Sequence, residues 1–297
     1  MTNGYAKITI AMILWGTIGL FVVWSGLDSM TISFFRCLLG IAILLVFMKD
    51  LSLKDFKKYT VKDYSLMAAG GICLVLNWVF LFKSFQLASI TLANISYYTQ
   101  PVFLMLLGVF FLQEKVSLVK WSFILLAFVG MILTVNLNLQ ELNLNNNILL
   151  GTLYALLAGL LYAIATVIVK KQKHINSQHI TLVQLFTGLI ILIPFININL
   201  LPIHFTQWKY ILIIGIAHTA IPYLLYYNAI RTVSMTAIAI LSYIDPIIAI
   251  ITDIIYFNRQ LNATQWIGIC LTLWGSYIVL TLKNNSKNKA LKATATN

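Results

Sequence analysis

Asn77, Gln100, His218 and Asp245 are the residues whose types and spacing offer chemistry. Each lies about ten to fourteen residues into a long apolar run, which at ~1.5 Å of rise per residue is the depth of a bilayer midplane. A polar or ionisable group at that depth is costly and marks a binding or coupling site by default. Asp245 is the strongest candidate. A carboxylate in hydrocarbon can bind a substrate cation, carry a coupling proton or pair with a cation nearby. His218 is its expected partner, because an imidazole changes charge in the physiological range. Gln100 and Asp245 each stand immediately before a proline, Pro101 and Pro246. A proline removes a backbone donor and frees a carbonyl about one turn earlier. Irregular helices persist in membranes where they line a cavity, so both prolines are expected to kink their helices beside one.

Trp15, Trp78, Tyr98, Tyr162, Tyr223 and Tyr243 also fall deep in apolar runs. They can wall a cavity for an organic solute, stacking on it and offering hydroxyls. Arg36 is a further candidate if it faces that cavity, but it lies near one end of its run and is expected to snorkel outward. Asp253 and Lys83 are placed near the outer boundary. Glu114 is read as a solvated helix end on the inner side. Cys37, Cys73 and Cys270 lie far apart with no histidine beside them, so neither a disulfide nor a metal site is expected, and no cofactor is implied.

The elements that must hold these residues follow from composition. The chain is 60% hydrophobic and 9% charged over 297 residues. So few polar groups cannot cover so apolar a core in water, and the solvent must be lipid. Apolar runs occupy 5–25, 30–49, 63–86, 88–112, 117–136, 148–169, 178–198, 207–230, 233–256 and 262–282. The expectation is an all-α integral membrane protein with ten transmembrane helices, its first run a retained helix rather than a cleaved signal. The tail, 284–297, is expected to be disordered. The net charge of +12 does not indicate nucleic acid, because the lysines sit in short loops and in the tail. With the N-terminus in the cytoplasm, sixteen of the 20 Lys and Arg residues fall on the inner side. That asymmetry places both termini inside.

The chain also repeats itself. Residues Leu87 to Trp121 reappear, shifted by about half the chain and without a gap, as Thr232 to Trp266. Ser89, Thr91, Tyr98, Pro101 and Trp121 fall on Ser234, Thr236, Tyr243, Pro246 and Trp266, and Gly130 falls on Gly275. A fixed offset is the mark of internal duplication. The boundaries are 1–140 for the first unit and 141–283 for the second. Five helices per unit is odd, so the second unit enters the membrane upside down. Inverted repeats of this kind build secondary transporters, with the site near the midplane between the halves. A membrane enzyme is disfavoured, since no metal spacing, nucleophile elbow or nucleotide motif is present. A passive channel or a structural membrane subunit is the alternative reading, and flux saturation and counterflow separate it from a carrier.

Several of these residues carry a resemblance. Trp15-Gly16, Phe35-Arg36, Gln100-Pro101 followed by Leu112-Gln113-Glu114-Lys115, then Trp121 and Gly130, and in the second half Asp245-Pro246, Gly268 and Gly275, resemble the drug/metabolite transporter superfamily, in particular its EamA-type ten-helix exporters. The resemblance implies a multi-pass plasma-membrane transporter, usually an exporter of amino acids, related metabolites or toxic organic compounds; a monomer or homodimer is expected. It implies a central cavity, with the fifth and tenth helices more peripheral. The chain departs from the family pattern in two places: Arg259 stands where the second half usually keeps a glutamate, and Asp245 replaces the usual glutamate before its proline. The four-helix relatives that exchange drugs for protons use a glutamate in helix one, and none precedes Asp28 here.

Overall fold

The structure, a computed structural model, describes residues 2–47, 56–88, 90–135, 146–196, 204–257 and 260–282. Among these every regular element is a helix. In chain order they are α1 (Thr2–Gly16), α2 (Ile18–Ser25), α3 (Ser29–Phe47), α4 (Val61–Leu87), α5 (Ile90–Tyr97), α6 (Gln100–Leu112) and α7 (Leu118–Val135). There follow α8 (Asn146–Lys171), α9 (Ser177–Leu192), α10 (Phe205–Gly215), α11 (Ile221–Ile230), α12 (Met235–Leu241), α13 (Ile244–Phe257) and α14 (Ala263–Thr281). A π-helical turn, Ile216–Ala220, joins α10 to α11. Among the described residues 9 helical spans are long and apolar enough to cross a membrane, with a shorter apolar helix at Leu118–Thr134. The side chain of Asp253, all of Arg259, the segment 136–145 and the tail from 283 lie outside the described residues.

The distribution of side chains is that of a protein dissolved in lipid. Phe110, Phe186, Ile190, Ile255, Ile267 and Trp274 are all more than half exposed. Asn77, Gln184, Thr166, His218, Gln265 and Thr272 are buried. Apolar groups outside lose nothing against hydrocarbon, while the polar groups find partners inside. Helix starts carry the usual side-chain acceptors for orphan N–H groups. Thr60 and Asp63 form a capping box at α4, Asn262 and Gln265 another at α14, and Asn176 and Ser234 cap α9 and α12.

α7 and α14 pack on each other along their length. A methyl placed on Gly130 would stand 2.7 Å from the Gly268 carbonyl, and one on Gly275 2.8 Å from that of Phe123. The hydroxyl of Thr272 donates to the Ala127 carbonyl at 3.2 Å, and the Gln265 amide donates to that of Thr134 at 3.0 Å. Late residues of one helix thus meet early residues of the other, so the pair is antiparallel. Backbones approach this closely only over small residues.

Candidate functional site

Both prolines do more than kink. The chain leaves helix at Tyr98–Thr99 and again at Ser242–Tyr243, so α5/α6 and α12/α13 are broken helices. Pro101 and Pro246 sit in the first turn of the new segments, where the missing N–H costs little. A glycine packs against each break. A methyl on Gly16 would meet the Asp245 carbonyl at 2.6 Å, and one on Gly159 the Tyr97 carbonyl at 2.9 Å. α1 therefore lies on the second break and α8 on the first.

Asp245 is half-buried, and its carboxylate has no hydrogen bond or ion pair among the described residues. His218 is not its partner. One ring nitrogen of His218 shares a proton with the Thr17 hydroxyl at 3.0 Å, and the other lies 3.3 Å from the Ile213 carbonyl. The π turn brings that carbonyl within reach by letting the ring fold back on its own helix.

Arg36 does not snorkel; only 4% of its surface is exposed. Its Nε donates to the Thr219 hydroxyl at 3.1 Å, Nη2 points to the His218 carbonyl at 3.4 Å, and Cζ stacks 4.0 Å above the ring of Trp78. A desolvated cation–π contact is worth about 2 kcal/mol. The reason for the inward turn is Pro222, in the first turn of α11. A proline four residues after His218 leaves the His218 carbonyl without its helical donor. The Trp15 indole, at 3.2 Å, and Arg36 supply the missing donors.

The aromatic residues make one connected wall. The Trp15 ring lies 5.0 Å from Tyr223, 5.3 Å from Tyr226 and 6.4 Å from Tyr162, and Trp78 lies 6.1 Å from Tyr223. Tyr226 and Tyr227 are fully buried in this wall. Tyr97 links the two charges, its phenol being within electrostatic range of both Arg36 and Asp245. It accepts a bond from Asn77 at 3.4 Å, while the same amide donates to the Ala158 carbonyl at 2.7 Å. Gln100 and Tyr243 are buried, and each keeps a polar oxygen with no partner among the described residues. Tyr98 is buried beside Tyr97, 5.9 Å ring to ring. Trp15, Trp78, Tyr162 and Tyr223 are thus brought together with Arg36 and His218, and Asn77 joins them to the first break. The signals that sequence reading passed over were Pro222 and the depth of Tyr97.

Glu114 is also more than a solvated end. The chain turns at Gln113 through φ 55°, the left-handed helix cap. That turn aims the Glu114 carboxylate at the start of α12, where it accepts from Met235 N at 2.8 Å and Thr236 N at 3.4 Å. Lys170 stands 3.6 Å away as its counter-ion.

The chain matches the model of the EamA-like transporter family over residues 2–136 and 149–281. It is 32% identical over 290 residues to the uncharacterized transporter YxxF of Bacillus subtilis, spanning 97% of this chain and 93% of that protein. It is 22% identical over 269 residues to a protein of Rickettsia bellii named S-adenosylmethionine uptake transporter, spanning 89% of this chain and 88% of the other. One solved crystal structure superposes with a TM-score of 0.81 at 15% identity, covering 95% of this chain and 97% of its own, and so shares the fold.

Proposed function

Because this chain belongs to the EamA-like transporter family and is a multi-pass membrane protein, we propose that it is a secondary transporter, not an enzyme, that moves a small zwitterionic metabolite by alternating access. The observation that carries this reading is the pair of uncompensated charges around Tyr97. Arg36 has no carboxylate partner and Asp245 no cation among the described residues. A buried charge must be compensated. A solute with a carboxylate and an ammonium group compensates both at once, while its body stacks on the Trp15, Trp78 and Tyr223 wall. The guanidinium suits a carboxylate because it presents a planar fork of donors. An amino acid or a derivative is the substrate class. One relative is named for uptake of S-adenosylmethionine, which carries both groups.

The same reading has ten helices in two inverted units, 1–140 and 141–283, with both termini in the cytoplasm and the protein in the plasma membrane. The α7–α14 contact supports it. Thr272 bonds to Ala127, which is 145 positions earlier, and the Gly130–Gly268 contact is matched by Phe123–Gly275. A two-fold axis perpendicular to antiparallel helices generates such reciprocal pairs. The excess of lysine on one side supports the orientation. In the substrate-free state Asp245 is compensated by a proton, which the ammonium group displaces, so transport is proton-coupled. The direction proposed is export, as the family resemblance implies.

The test is flux in proteoliposomes with a panel of amino acids and S-adenosylmethionine, loaded on either side and with an imposed pH gradient. The proposal expects saturable counterflow that responds to the gradient. It expects N-acetylated substrates to depend on Asp245 no longer, and decarboxylated ones to depend on Arg36 no longer. Counterflow without saturation would make it a channel. Flux indifferent to both Asp245→Asn and Arg36→Gln would place the site elsewhere.

A further inference from the structure

At the end of the bundle where α1 begins and α11 and α14 end lies a cavity of about 1010 Å³. It is separate from the aromatic wall and shares no lining residue with it. Lys7, Lys120, Lys173 and Arg231 all line it, and its described lining holds no acidic side chain. Lys120 is buried, which is unusual for an ammonium group at a membrane surface. Glu114 lies within electrostatic range of Lys120 and also binds Lys170 and the first N–H groups of α12. The Lys7 ammonium donates to Asn228 at 2.6 Å, which fixes it at the cavity edge. Asn3, Thr232, Ser234 and Thr281 add neutral polar groups to the lining. Val279, Leu280 and Leu282 at the α14 end give the lining an apolar part, and Leu280 is 38% exposed.

We propose that this cavity is a binding site for a phosphate-bearing anion, the headgroup of an anionic phospholipid being the source that fits its shape. Four cations facing one space repel each other, and an anion between them removes that repulsion. The volume exceeds a free phosphate several times over. The apolar α14 wall gives acyl chains a way out alongside the helix. Basic pockets between membrane helices on the side rich in lysine recognise anionic headgroups by the same chemistry. Transport activity is not needed for binding, so the site stands or falls separately from the proposed substrate.

The experiment uses the full chain in nanodiscs of phosphatidylcholine, with or without phosphatidylglycerol, and reads thermal unfolding and lipid retained by native mass spectrometry. Phosphatidylglycerol is expected to raise the midpoint by about 3 °C and to be retained. Lys7→Gln/Arg231→Gln is expected to lose most of that rise. Lys57→Gln/Lys115→Gln removes as much charge outside the cavity and is expected to keep it. In a second arm inorganic phosphate is added to the phosphatidylcholine discs at matched ionic strength. A rise there that depends on Lys7 and Arg231 supports the same site with a soluble phosphate ligand. No rise in either arm beyond a chloride control, or an equal rise in the cavity and control variants, overturns the proposal. If the double variant does not fold, Lys173→Gln, whose side chain is exposed, gives the same reading.

Discussion

At the first helix break, between α5 and α6, the residue before the proline is Gln100, a neutral amide with a buried oxygen left unpaired. At the second, between α12 and α13, it is Asp245, a carboxylate with no partner among the described residues. The two breaks share their proline and their packed glycine, and differ in charge. Their far ends differ too. α6 closes onto α12 through Glu114, and at Gly108 a methyl would stand 2.6 Å from Met235. α5 and α13 make no comparable contact among the described residues. The ionisable pre-proline group thus stands at the second break, while the closed contact joins α6 to α12. On the proposed function, a substrate's ammonium group is read at the second break alone, where a fully symmetric carrier would read it at both.

The comparison breaks most visibly at the pre-proline pair. Asp245→Asn leaves a buried substrate ammonium without its counter-charge, which costs about 3 kcal/mol. Expected is a fall of roughly 100-fold in kcat/KM for counterflow. Gln100→Ala removes a neutral group worth about 1 kcal/mol, so a fall nearer fivefold is expected. Equal losses at the two positions would mean that the site treats both breaks alike and that Asp245 has no special place. Arg36→Lys is expected to recover little of an Arg36→Gln loss, because an ammonium cannot span Thr219, the His218 carbonyl and the Trp78 face together.

Where the halves meet, likeness is expected instead. Gly130→Ala and Gly275→Ala each push a methyl against backbone across the α7–α14 contact. Overpacking of this kind costs about 2 kcal/mol. Matched drops in thermal midpoint support the two-fold relation between the units. A drop for one with none for the other would sink it.

Much of this was legible before the fold was known. The membrane environment follows from composition, and the matched pre-proline residues Gln100 and Asp245 from spacing. The aromatic wall was half visible, since Trp15, Trp78 and Tyr223 lie deep in their runs. What spacing cannot give is which way a side chain turns. Arg36 lies near the end of its span, and length alone favours snorkelling. It turns inward because Pro222 frees a carbonyl on a helix far away in sequence, and only packing brings the two together. His218 was matched to Asp245 by depth, but a π turn spends both its nitrogens on Thr17 and Ile213. Such a turn leaves no mark in an apolar sequence. Glu114 looked solvated because Gln113, Glu114 and Lys115 end an apolar run. Its partner lies 121 residues on, at the start of α12.

The smallest expected effect tests the closed end. Glu114→Gln keeps one acceptor for the N–H groups of Met235 and Thr236 but removes the ion pair to Lys170. The Glu114 side chain is 19% exposed, so solvent screens part of the loss, and about 1 kcal/mol is expected. A shift of that size changes the population of an opened state about fivefold. Ile238, on α12 and fully buried, reports it: a cysteine introduced there should react with a soluble maleimide about fivefold faster in the Glu114→Gln background. Such a rate increase, with substrate counterflow retained, would make Glu114 the residue that holds α6 on α12. An unchanged rate would mean that Gly108 and the packing around Met235 keep this end shut by themselves. The difference between the two ends would then lie in shape rather than in charge.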